Sequence, residues 1–136
     1  MSRIINPNSA GKERTKMTRA IALAVRELAR KQAIDTESKD LAAFISIALN
    51  AVAETIEPSV AAWEKRNYWV KADKFRMEWR WARKYSAEMR RAVLDDDWEN
   101  VAKVAMQTAM KLQKIKISDK HRMGRPWVGS WQRLEK

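Results

Sequence analysis

Between Gly11 and Gly124 a single residue, Pro58, punctuates more than a hundred positions. Strand ends and tight turns draw on glycine and proline for dihedrals that other residues resist, so a turn-rich β architecture needs far more of them. Alanine, leucine, methionine, lysine, arginine and glutamate fill the run instead, and all are good helix formers. The expected fold class is all-α: a bundle of four main helices over about residues 9–32, 37–57, 58–94 and 96–115, with an extended tail. The chain has 136 residues, 46% of them hydrophobic. That is the length of one domain and enough apolar mass for a core without staples. Residues 1–8 read as an amino-terminal arm, 9–115 as the helical domain and 116–136 as a basic tail whose two tryptophans, Trp127 and Trp131, strap it to the bundle.

Helical periodicity supports this division. In the first segment Met17, Ile21, Ala24, Val25 and Leu28 form an apolar stripe, while Lys12, Lys16, Arg19, Arg26 and Arg30 line the opposite face. Thr36 or Ser38 is expected to cap the second helix. That helix is apolar nearly all round from Leu41 to Ala53, which places it at the centre or at a subunit contact. Pro58 suits the first turn of the third helix. Val70, Met77, Trp81, Tyr85, Met89 and Val93 give the third helix an apolar face, with weaker helix formers near Asn67-Tyr68. Asp95-Asp96-Asp97 closes it and opens the fourth, where carboxylates favour a helix amino terminus.

Charge narrows the function. Twenty-eight Lys and Arg stand against seventeen Asp and Glu, a formal net charge of +11. Such an excess attracts nucleic acid or anionic lipid and carries no information on fold. It is also uneven. Residues 60–94 hold ten cations and four acids, residues 1–33 eight and two, and residues 116–136 six and two, whereas residues 34–59 hold one cation and five acids. On the third helix Lys65, Arg76, Arg80, Arg83, Arg90 and Arg91 fall on one side. A solvated helix face normally mixes signs, so a cationic side points to a polyanionic partner.

Other chemistry finds little support. Cysteine is absent, which removes disulfides, thiolate metal ligands and cysteine nucleophiles. The single histidine, His121, lies in the tail, so the Glu-x-x-His pairs of a di-iron bundle are missing and no metal or cofactor is expected. No Gly-x-Ser-x-Gly and no phosphate-cradling glycine loop occurs. Glu64 and Glu78 sit near the apolar side of the third helix without a second group to work with, so no catalytic residue is assigned and the chain reads as a non-enzyme.

The function expected is therefore non-catalytic binding of RNA or DNA by the phosphate backbone, without strong sequence specificity. The contact set is Lys12, Lys16, Arg19, Arg26, Arg30, Lys65, Arg76, Arg80, Arg83, Arg90, Arg91, Arg122 and Arg125, with Trp69 and Trp79 as stacking residues. The alternative is a structural or adaptor subunit of a protein or ribonucleoprotein assembly, docking or self-associating through helix 37–57. An anionic membrane is the less favoured partner, because the first helix lacks bulky aromatics on its apolar side. The amino end lacks the apolar core of a signal peptide, and the longest uncharged run, Leu41–Ala53, is too short to cross a bilayer. The expected location is the cytoplasm.

Overall fold

The computed structural model describes residues 7–135. It is all-α, with helices α1 (Pro7–Arg30), α2 (Thr36–Glu54), α3 (Ile56–Lys65), α4 (Trp69–Leu94), α5 (Trp98–Lys111) and α6 (Ser130–Glu135). Most of the arm expected over residues 1–8 lies outside the described residues.

The third expected helix divides into α3 and α4. Pro58 ends α2 four residues upstream rather than at its own position. Proline has no N–H to offer the carbonyl of Glu54, and α2 stops there. Thr55 bridges the joint, its Oγ1 donating to the Val52 carbonyl at 2.6 Å. The second break falls at Arg66-Asn67-Tyr68. Asn67 adopts the left-handed region, φ 64°. The Tyr68 N–H donates to the Trp63 carbonyl and the Asn67 N–H to that of Glu64. This paired closure is the Schellman motif, with asparagine where glycine is commonest. The same motif ends α4: Asp96 is left-handed at φ 56°, and Asp97 and Asp96 donate to Ala92 and Val93. Asp97 then caps α5 by accepting from the Asn100 N–H.

Neither Thr36 nor Ser38 is the cap of α2. Asp35 takes that place in a capping box, accepting from the Ser38 N–H at 2.9 Å while Ser38 Oγ accepts from the Asp35 N–H.

The apolar circumference of α2 makes it central. Leu41, Ile45, Leu49 and Val52 are fully buried, and α1, α4 and α6 all pack on it. The stretch Thr36–Lys65 is long and apolar enough to span a membrane by composition, and 61% of its most apolar window is buried inside the bundle. Ser46–Ser86, Asn50–Arg83 and Glu57–Arg76 contacts run α2–α3 antiparallel to α4.

The inward line of α4 is Ala72, Phe75, Trp79, Ala82, Ser86, Met89 and Val93, a strict alternation of three and four residues in which Phe75 and Trp79 are half-buried and the others buried. This corrects the expected apolar face, because Val70 and Met77 are exposed. Ala82 and Ser86 let α4 approach α2 closely. At that approach Ser46 and Ser86 exchange hydrogen bonds, each hydroxyl donating to the other's carbonyl at 2.8 and 2.7 Å.

The tail is docked rather than extended throughout. Trp127 is buried, and its Nε1 donates to Glu37 at 3.3 Å. Asp40 of α2 accepts from the N–H groups of Gly129 and Trp131, capping α6.

Candidate nucleic-acid interface

Four of the thirteen cations expected to face phosphate are paired within the fold with a carboxylate at 3.7 Å or closer. Arg26 donates to the Ile117 carbonyl at 2.6 Å and lies 3.6 Å from Asp119, so it anchors the start of the tail against α1. Arg30 approaches Asp119 at 3.7 Å and Glu27 at 3.8 Å. Arg76 forks onto both carboxylate oxygens of Glu57 at 3.1 and 3.3 Å and also meets Asp73 and Glu64. The Glu57 hydrogen bond raises its pKa above the ordinary guanidinium value. Arg125 pairs with Glu37 at 3.1 Å. For Arg76 and Arg125 the physical reason is that the acidic α2–α3 strip lies beside α4 and under the tail, whereas Arg26 and Arg30 meet Asp119 where the tail crosses α1. Spacing along one helix cannot reveal a carboxylate supplied by another.

A smaller set remains. Arg80 and Arg90 are exposed with no hydrogen bond or ion pair among the described residues. Arg83 donates only to the neutral Asn50 side chain, at 3.3 Å. Arg91 has a loose contact with Asp95 at 3.9 Å, the kind of exposed pair that contributes little. Lys84, absent from the expected set, is exposed beside Arg80 and equally unpartnered. Its signal was its position four residues after Arg80, one turn along the same face. From Arg80 to Arg91 this row spans about 16 Å at 1.5 Å per residue. Lys12, Lys16 and Arg19 on α1, Lys65 at the end of α3 and Arg122 in the tail are exposed and unpartnered among the described residues. They belong to elements other than α4.

Arg14 escaped the sequence reading. Its Nη1 donates to the Thr55 carbonyl, Thr55 Oγ1 and Ser59 Oγ at 3.2–3.3 Å, and its guanidinium lies over Phe75 at 4.7 Å and Trp79 at 5.8 Å. Burial lowers its pKa, and Glu78 opposes that shift. Such a group ties α1 to the α2–α3 joint and to α4.

The two expected stacking residues separate. Trp79 is half-buried in a ladder of rings, Trp63–Phe75–Trp79–Trp81–Tyr85, with centroid distances of 4.8–6.4 Å. It packs against both apolar clusters of the interior, which corrects its assignment as a stacking surface. Trp69 is 56% exposed, next to Tyr68 at 53%.

One further surface is apolar. A groove of about 600 Å³ runs between the carboxyl end of α1 and α5, lined by Leu28, Ala29, Ile34, Trp98, Ala102 and Met106 among others. Among the described residues no cluster of three or more His, Asp and Glu side chains could hold a metal ion. Comparison with family profiles, characterised proteins and solved structures returns no match to this chain.

Proposed function

We propose that this protein binds the phosphate backbone of a nucleic acid without catalysis and without strong sequence preference, chiefly through the outward row of α4. The observation that supports it is selective pairing. The fold supplies carboxylates to Arg26, Arg30, Arg76 and Arg125 and leaves Arg80, Lys84 and Arg90 without any. Cations held within three turns of one helix and without acid partners among the described residues have their most favourable partner in a chain of phosphates, whose bound counterions are released on contact. Arginine adds planar two-pronged contact to phosphate oxygens. Lys12, Lys16, Arg19, Lys65 and Arg122 widen the positive field.

The test is fluorescence anisotropy with labelled oligonucleotides across a salt series. About four phosphate contacts predict a loss of affinity of roughly 50- to 150-fold between 50 and 200 mM salt. Reversing Arg80, Lys84 and Arg90 to Glu together should abolish binding with helicity unchanged. No binding at 50 mM salt, or binding without a salt slope, removes the proposal.

A second reading, an adaptor subunit, is favoured by the α1–α5 groove. Its two-helix floor, small alanines and exposed Met106 suit an amphipathic helix. Lys111 and Lys114 stand exposed at and just beyond the carboxyl end of α5 with no carboxylate among the described residues, so that helix would be acidic. A chain that shifts no oligonucleotide, and whose Met106→Glu variant loses a stoichiometric acidic partner held by the wild type, is this adaptor.

A further inference from the structure

Trp69 stands apart from the other six tryptophans. Trp127 is buried, Trp63, Trp79, Trp81, Trp98 and Trp131 are half-buried, and Trp69 alone is exposed. Tyr68 precedes it, equally exposed, at the turn that the left-handed Asn67 closes. The Schellman hydrogen bonds fix the backbone there, so the two rings project from a defined corner rather than from a frayed end. An open hollow of about 560 Å³ adjoins them, bordered by Asn67, Tyr68, Trp69, Val70, Lys71 and Lys74. Exposing two aromatic rings costs the fold their burial, which a purely structural role does not explain.

Register ties this corner to the cationic row. Trp69, Arg80 and Arg91 are spaced by eleven residues each, about three helical turns, so they project from one face of α4 over about 33 Å. Between Trp69 and Arg80 on that face stand Asp73 and Arg76, 3.4 Å apart, and Arg76 is already held by Glu57 and Glu64, so this stretch offers the strand no cation and the phosphate grip begins at Arg80.

From this alignment we propose that the ligand of the α4 face is a single strand rather than a duplex, laid along α4 with phosphates on Arg80, Lys84 and Arg91 and an unpaired base stacked at Trp69 and Tyr68. The inference rests on the nucleic-acid reading above and adds the strandedness. A ring can stack only on a base whose face is free. Inside a duplex both faces of every base are covered by neighbours, whereas a single strand splays bases onto aromatic platforms while its backbone follows the cations. Val70, 70% exposed, gives the corner some further apolar area, and Met77, 65% exposed, stands about two turns farther along α4. A lipid surface is the poorer fit, because Asp73 and Lys74 lie between those two residues on the helix and would be drawn below the headgroups with them.

The experiment uses the full chain, a labelled twelve-nucleotide single strand, a hairpin duplex with the same number of phosphates, and vesicles of phosphatidylcholine and phosphatidylserine. The single strand should bind at least tenfold tighter than the hairpin and quench tryptophan fluorescence. In Trp69→Ala the two affinities should converge, through a loss of about tenfold for the single strand, and Trp69→Phe should restore most of the preference. Circular dichroism checks that the variants fold. Equal affinity for strand and hairpin in the wild type, or a preference that survives Trp69→Ala, overturns the inference while the salt-dependent α4 grip stands. Absence of binding to either oligonucleotide overturns both, and a fluorescence blue shift on the vesicles in that case assigns the corner to lipid.

Discussion

Arg14 and Arg80 carry the same guanidinium in opposite settings. Arg14 lies against two aromatic rings and three oxygen acceptors, where its Nη1 and its flat face are both engaged within the fold. Arg80 has neither, and only such a residue keeps its donors for a ligand. Single acidic residues show equally local logic. Asp35 accepts from Lys31 Nζ at 2.7 Å and from the Ser38 N–H at 2.9 Å, and the Lys31 bond, then the Ser38 bond, hold its carboxyl down from 3.8 to about 2. A carboxyl whose pKa falls on folding stabilises the folded state fully above its unfolded value. That contribution shrinks as pH drops through the interval from 3.8 to about 2 and vanishes below it. Asp35→Asn keeps a competent cap but loses the charge. Thermal unfolding should therefore show the variant less stable than wild type at pH 6, with the gap narrower at pH 3. A gap that widens at pH 3 would contradict the pairing of Asp35 with Lys31.

The elements follow rules that are legible to different depths. That α2 is a helix, apolar nearly all round and central, can be read from Leu41 to Ala53, because thirteen residues without a charge leave it no charged face for solvent. The phase of α4 cannot be read that way. Its buried line includes Ala72, Ala82 and Ser86, which carry little hydrophobic signal, while Val70 and Met77 carry much and point to solvent. Small residues are buried there because two helices cross closely and exchange serine hydrogen bonds, a fact of the pair and not of either sequence. The α3–α4 break was signalled by weak helix formers near Asn67, but its sharpness comes from the left-handed backbone at that one residue. Asparagine tolerates that region better than any residue except glycine. Asn67→Gly should leave stability within about 0.5 kcal/mol of wild type, and Asn67→Ala should lower it by about 1 kcal/mol, since only the alanine Cβ is penalised at positive φ. Urea unfolding of the two variants measures the difference. Equal stabilities would mean that the turn is built some other way.

Across the whole molecule, charge segregation along the chain becomes a means of assembly. The acidic segment 34–59 and the basic segment 116–136 are the most distant in kind, and they meet: Glu37 takes Arg125 and the Trp127 indole, and Asp40 takes the α6 amino terminus. Contacts with Lys31 and Trp127 also lower the Glu37 pKa. Part of the positive charge that the sequence assigns to a ligand is therefore used to close the fold, and this is why the candidate site contracts from three segments towards one helix. The tail's tryptophans were legible as straps because large aromatics in a segment without periodicity have little else to do. Their acidic seats on α2, ninety residues away, were not legible. Trp127 is 3% exposed, so Trp127→Ala removes a full aromatic side chain from the interior and leaves Glu37 short of a donor. Truncations of this kind cost about 3–5 kcal/mol, a large share of the 5–15 kcal/mol that typically separates folded from unfolded domains. Trp131→Ala, at a half-buried ring beside Lys39, should cost less. Denaturant unfolding gives both values, and hydrogen exchange localises the effect, with amides of α6 losing protection before those of α4. If Trp127→Ala unfolds at the wild-type midpoint and α6 keeps its protection, the tail is not held by that indole and the acidic seat on α2 does not close the fold.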